Sequence, residues 1–349
     1  MKILQIVNNY SVGDGISRVV TDLGKELSKK IDFEIFYRKS SSGVPKSNLK
    51  VRKLGSFGIL RNVGDDTIVH SHFGMGLVLS ILLRKFKNVR HIHTYHAITS
   101  KEYYEHYNRD LLLTKILFKT GGVDKFVAIS KYASEELREF YGINNSIVIY
   151  NGVDTERFKI DTKAGRKFRE KYDLGSDKII LGYLSRFVPH KNHLFLLKFM
   201  KYYGKDFQLL LVGKGEYKEK CDNFVREHRI KNVRFLGFLP DREIPSFYNA
   251  LDIYIHPSLW EGYGLPMIEA MACGRPVVAW KTRIGSELIT KEVGTLVDRV
   301  EDLNKKVKSL YARRNEIKKK ARSLVERKFS VKLMAKEYMK IYKNLIYKL

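Results

Sequence analysis

Short apolar runs alternate along the chain with segments of helical periodicity. Residues 2–8, 33–37, 67–70, 90–95, 125–129 and 146–150 read as strands. They are apolar throughout rather than alternating, which is how parallel strands covered on both faces read. Helical spacing separates most of them; across 14–29, Ile16, Val19, Val20, Leu23 and Leu27 share one side. From 151 to 177 the pattern lapses into charge and turn residues. It restarts with strands at 178–184, 207–212, 233–235, 253–255 and 276–279. Two successive series predict an α/β protein of two Rossmann-like, doubly wound domains facing each other across a cleft, with ligands at the carboxyl ends of the strands. A last helix over 331–349, with Leu333, Met334, Tyr338, Ile341, Tyr342 and Leu345 as its apolar positions, is expected to cross back onto the first domain. The expected division is 1–158 plus 331–349 for one domain and 159–330 for the other.

Length agrees, since 349 residues suit two cores of roughly 150–200 each. Cys221 and Cys273 are too few for a disulfide framework and lack metal-site spacing, so both read as buried thiols of a cytoplasmic protein. No apolar window is long enough to cross a membrane, and the N-terminal run is too short for a signal peptide. The net charge of +27 favours anionic partners. About a third of that excess lies in 304–328, whose stripe of Val307, Leu310, Tyr311, Ile317, Ala321, Leu324 and Val325 predicts an amphipathic helix with a solvated basic face. No nucleic-acid motif accompanies it, so nucleic acid is not an expected partner. Two segments, 76–90 and 101–119, mix aliphatic or tyrosine side chains with basic ones, and suit peripheral contact with an anionic membrane at its cytoplasmic face.

Three clusters carry candidate chemistry, each just past a predicted strand. In 182–191 (GYLSRFVPHK), Arg186 and Lys191 suit a diphosphate, one as a fork of donors and one as a movable point charge. In 257–269 (PSLWEGYGLPMIE), Gly262 and Gly264 are expected to allow unusual backbone angles, and Pro266 to open a helix whose free amides attract phosphate. Tyr263 and Leu265 belong to that phosphate-attracting turn, and Glu261 and Glu269 can point at one ligand as acceptors for sugar or ribose hydroxyls. In 8–16 (NNYSVGDGI), Gly13 and Gly15 form a phosphate-tolerant loop that lacks the dinucleotide fingerprint. His70, His72 and His93 read as structural, and no metal site is expected.

At this point the sequence resembles a known family. Glu261 and Glu269 resemble the E-x7-E signature of the retaining glycosyltransferases of family GT4 (glycosyl transferases group 1). Residues 269–277 (EAMACGRPV), 150–154 (YNGVD), Ser185-Arg186 with Lys191-Asn192, and 212–215 (VGKG) continue the likeness. So do 66–72, 127–130 and Thr94-Tyr95-His96, the last similar to the segment carrying the family's active-site histidine. Gly13-Asp14-Gly15 departs from the adjacent glycines usual there. The resemblance implies a GT-B fold and transfer of a sugar, with net retention, from a nucleotide-diphosphate sugar to a glycan, lipid-linked or small-molecule acceptor. UDP- and GDP-sugars are the favoured donors, and neither cofactor nor metal is expected; the sequence holds no D-x-D. It further implies that Glu261 holds donor-sugar hydroxyls, Glu269 holds ribose hydroxyls, and His96 faces sugar and acceptor. A nucleotide-sugar epimerase or a phosphorylase on the same fold is the alternative.

Overall fold

A computed structural model describes residues 1–54, 63–64, 67–72, 74–96, 107–120, 122–175 and 177–347. The chain forms two compact units, one of Met1–Asp154 with Phe329–Leu349 and one of Thr155–Lys328. Both are Rossmann-like, with a wholly parallel sheet and interleaved helices.

In the first unit the strands are β1 (Lys2–Asn9), β2 (Asp32–Lys39), β3 (Lys50–Lys53), β4 (Thr67–His72), β5 (Arg90–Tyr95), β6 (Lys125–Ala128) and β7 (Ile147–Val148). Their order, β3-β2-β1-β4-β5-β6-β7, reverses direction at β1, so the crevice outside the carboxyl ends of β1 and β4 is a topological switch point. Helices α1 (Gly15–Leu27), α2 (Gly74–Phe86), α3 (Tyr107–Thr120) and α4 (Lys131–Tyr141) connect them. Asp14 starts α1 by accepting from the Ser17 amide at 2.8 Å and the Ser17 hydroxyl at 2.7 Å. That capping role explains why an acid stands between Gly13 and Gly15. Val19, Val20, Leu23 and Leu27 are buried. Beneath the sheet, Leu4, Ile6, Phe36, Val69, Leu83 and Val89 form one apolar cluster.

The second unit orders its strands β10-β9-β8-β11-β12-β13: β8 is Ile179–Leu184, β9 Phe207–Val212, β10 Val233–Gly237, β11 Ile253–His256, β12 Val277–Trp280 and β13 Gly294–Val297. Here the switch point lies between β8 and β11. Helices α5 (Thr162–Lys171), α6 (His193–Tyr203), α7 (Lys218–Glu227), α8 (Ile244–Ala250), α9 (Leu265–Ala272), α10 (Arg283–Leu288), α11 (Val300–Ala312) and α12 (Arg314–Lys328) complete it. The chain returns to the first unit where the Val153 amide donates to Phe329 O at 2.8 Å and the Val331 amide to Val153 O at 3.0 Å. Helix α13 (Val331–Tyr347) then packs on α1 and on the sheet.

Several expectations need correction. Residues 151–177 contain α5, hidden because only Gly165 and Phe168 are buried; Asp161 caps it by accepting from the Ala164 amide at 2.9 Å. The helix expected over 304–328 is two, α11 and α12, parted at Arg313. Its basic face is not wholly solvated, because the Arg322 guanidinium donates to Thr155 O at 2.8 Å and Ala272 O at 3.2 Å. Strands β3 and β13 were not predicted. Gly15 and Gly262 do not adopt left-handed backbone, unlike Gly13 and Gly264.

Five histidines of the first unit, His70, His72, His91, His93 and His96, are buried. Burial lowers the pKa of each, His91 and His96 to about 3. In the unfolded chain they protonate near 6.5. Their stabilising contribution is therefore complete above that pH and declines as pH falls from 6.5 towards the folded values. Denaturant unfolding at pH 7.5 and 5.0, above the carboxylate range, should show a marked loss of stability at the lower pH; equal midpoints would contradict it.

Candidate active site

The second unit gathers its candidate residues at the carboxyl ends of β8 and β11. Lys191 and His256 both reach one oxygen of Glu261: Lys191 Nζ donates to Oε1, and His256 Nε2 lies 2.9 Å from the same atom. Burial raises the Glu261 pKa, but Lys191 and His256 outweigh it and hold the carboxyl below the usual range. The site therefore keeps a carboxylate in a poorly hydrated place. Tyr254 lies behind, its hydroxyl 3.4 Å from His256 Nδ1 and its ring 5.5 Å from that of Tyr248. The Tyr248 hydroxyl donates to Glu269 Oε2 at 2.8 Å, and Glu269 is fully buried. Both glutamates help push the Tyr254 pKa up, after burial, so the two acids flank one tyrosine.

The loops bearing these groups are tied together. The Tyr183 hydroxyl lies 3.1 Å from Lys191 O and 2.8 Å from Ser258 Oγ, bridging the segment after β8 to the segment after β11. The Leu259 amide donates to His190 O at 2.9 Å, and the His190 ring stacks on Trp260 at 4.2 Å. Arg186 is exposed in the same loop. Burial first, then Lys191 and Arg186, press the His190 pKa down to about 4 against the opposing pull of Glu261, an imprint of the local positive field.

Two glycines make this packing possible. A Cβ on Gly213 would stand 1.9 Å from Ser185 O, so the turn after β9 lies directly against the Arg186 loop. Gly264 has φ of +81°, and no side chain caps the helix it opens; Pro266 occupies the first turn, as expected. Tyr263 and Leu265 flank that turn, with Tyr263 buried.

The first unit presents Gly13 at the end of β1 and His96 just past β5. His96 is 8% exposed, and its Nε2 lies 2.7 Å from His72 Nδ1. His72 is indeed buried, yet it touches the candidate histidine directly. His70 bonds Thr94 Oγ1 at 2.6 Å, and Ser71 Oγ bonds His93 Nδ1 at 2.8 Å. No cluster of His, Cys, Asp and Glu able to hold a metal occurs among the described residues. Both cysteines are buried free thiols whose pKa burial raises to about 12.

Sequence reasoning missed Tyr183, Tyr254 and His256. The available signal was their spacing: Tyr254 and His256 share a face of β11, and that strand is otherwise apolar.

Two doubly wound α/β units in one chain are the architecture of the GT-B fold. Residues 13–157 match the Glycosyltransferase Family 4 family and residues 165–328 the Glycosyl transferases group 1 family, and the chain belongs to these group 1 glycosyltransferases. An uncharacterized glycosyltransferase of Methanocaldococcus jannaschii is 29% identical over 307 residues, covering 82% of this chain and 80% of that one. A GDP-mannose-dependent alpha-(1-6)-phosphatidylinositol monomannoside mannosyltransferase of Mycolicibacterium smegmatis is 30% identical over 188 residues, 50% of this chain and 49% of its own. The crystal structure of Anabaena HepE in complex with UDP and glucose superimposes with a TM-score of 0.84 at 20% identity, over 98% of this chain and 99% of that one.

Replacing Gly213 with Ala should lower the unfolding free energy by about 2–4 kcal/mol, because the turn and the Arg186 loop must part. Denaturant titration checks this; an unchanged midpoint would mean that the two loops separate freely.

Proposed function

We propose that the protein transfers a sugar, with net retention and without a metal, from a UDP- or GDP-sugar to a glycan, lipid-linked or small-molecule acceptor. The observation that carries this is the Lys191–Glu261–His256 cluster beside Arg186 and the uncapped amino end of α9. Arg186, Lys191 and the α9 amides stabilise the nucleoside diphosphate as its charge grows on bond cleavage, which removes the need for a cation. Glu261 uses its ionised carboxylate for donor-sugar hydroxyls. Glu269, buried beside Tyr248, accepts from the ribose hydroxyls. Tyr263, Leu265 and the Gly262–Gly264 turn line the donor, Gly13 and Gly15 border its phosphates, and His96 faces sugar and acceptor. The donors named for HepE and the mycobacterial mannosyltransferase support a uridine or guanosine nucleotide.

A screen of nucleotide sugars should find one that raises thermal stability and releases nucleoside diphosphate when acceptor is supplied. Arg186→Ala should lower turnover at saturating donor by roughly 10²–10³, with wild-type activity indifferent to EDTA. Turnover within twofold of wild type would remove the diphosphate role. Sugar interconversion without diphosphate release would indicate an epimerase, and a requirement for inorganic phosphate a phosphorylase.

A specific surface favours a membrane-borne acceptor. No helix among the described residues is long and apolar enough to cross a membrane. On α3, however, Leu112, Leu113 and Ile116 are 60%, 53% and 49% exposed, and Lys115 and Lys119 are exposed beside them. In the other candidate segment, 76–90, whose basic residues are Arg84, Lys85, Lys87 and Arg90, Arg84 is paired with Asp124 at 2.6 Å. Residues 101–106 of the expected segment lie outside the described residues. The wild type should co-sediment with anionic vesicles at low salt, and Leu112→Ser with Ile116→Ser should weaken this at least tenfold; equal sedimentation of both would remove α3 from the contact.

A further inference from the structure

In the first unit, Gln5, His70, His72, Thr94, His96, Tyr338 and Tyr342 form one connected chain of buried polar groups. Gln5 Oε1 can only accept, and it meets His72 Nε2, so that nitrogen carries the hydrogen. A buried, neutral His72 then has a lone pair on Nδ1, which accepts from His96 Nε2 at 2.7 Å. His96 is thereby left with its lone pair on Nδ1. At the other end, Gln5 Nε2 donates to His70 Nδ1 at 2.7 Å and to the Tyr342 hydroxyl at 3.2 Å, and that hydroxyl also lies 2.7 Å from His70 Nδ1, whose lone pair the two donors share. The remaining His70 hydrogen, on Nε2, goes to Thr94 Oγ1 at 2.6 Å, which lies 2.9 Å from the Tyr338 hydroxyl. Turning the Gln5 amide over would reverse the sense of the chain as far as His96.

We propose that Gln5 is a positioning residue that acts through His72 to fix His96 as its Nε2–H tautomer, so that Nδ1 accepts a hydrogen bond from a ligand hydroxyl. This rests on the reading of His96 as facing sugar and acceptor. A carboxyl-end histidine offered as an acceptor orients a hydroxyl donor. The opposite tautomer would present a donor and favour a different hydroxyl rotamer, so the amide of Gln5 sets which hydrogen-bond partner His96 selects. Among the described residues, the groups facing His72 are Gln5 on β1, His70 on β4, His93 on β5 and His96 beyond it, and burial keeps the three histidines neutral.

The test combines a spectroscopic and a kinetic measurement. Long-range ¹⁵N–¹H NMR of the ligand-free wild type should find His96 protonated at Nε2 and bare at Nδ1. Gln5→Met removes the acceptor, and the His96 resonances should move towards a tautomer mixture. Its kcat should fall about tenfold, the worth of one misdirected hydrogen bond, with donor KM unchanged within twofold. Gln5→Glu keeps an acceptor. It should restore turnover at high pH, and lose it on acidification at a higher pH than the wild type, because protonated His72 would then donate to His96. This rescue carries the test if Gln5→Met fails to fold. A wild-type His96 protonated at Nδ1, or tautomer signals unmoved in both variants, would overturn the inference. Undiminished turnover of His96→Gln, with the tautomer shifts as expected, would instead overturn the ligand-facing role of His96.

Discussion

A polar atom on a strand covered on both faces is costly unless it finds a partner, and this constraint shapes both sheets. Both are wholly parallel, and side chains such as Ile3, Ile68, Leu209 and Ile255 line them. Polar chemistry is therefore expelled to the strand ends or draws on hydrogen-bond partners where it stays inside. The second unit takes the first course, and its charged groups crowd the carboxyl ends of β8 and β11. The first unit also takes the second course, and its interior histidines persist because Gln5, Ser71, Thr94 and the α13 tyrosines pair with them.

At the strand ends, electrostatics and packing reinforce each other. Glu261 is ionised only because Lys191 and His256 converge on it, and they converge because Tyr183 and the His190–Trp260 stack clamp the two loops together. The site is thus preorganised before a ligand arrives, with the carboxylate's charge already compensated. The same clamp limits how far Arg186 can drift, since its loop is wedged against the turn at Gly213.

Most of this fold could be read from periodicity, because central parallel strands are apolar runs. What escaped lies at the edges. β3, with the sequence KVRK, is charged because an edge strand faces water, and α5 buries too little to make a stripe. At the site, Arg186, Lys191, Glu261 and Glu269 were legible because cations and carboxylates stand out beside glycines. Tyr183 was not, because a tyrosine in an apolar strand reads as a core residue until its hydrogen-bond partners are known, and Tyr254 and His256 offered no more than their shared face of β11. Gly262 illustrates the reverse error, since a glycine's freedom is visible in sequence and its use is not.

The crossover at Val153 and Ser330 has a consequence for biogenesis. Gln5 and Tyr342, which bond to each other, lie 337 positions apart. On the ribosome, the contiguous stretch 155–328 can close as soon as it has emerged, whereas the amino-terminal sheet must wait for the final helix before its histidines find all their partners. The unit whose synthesis begins first is therefore the one completed last.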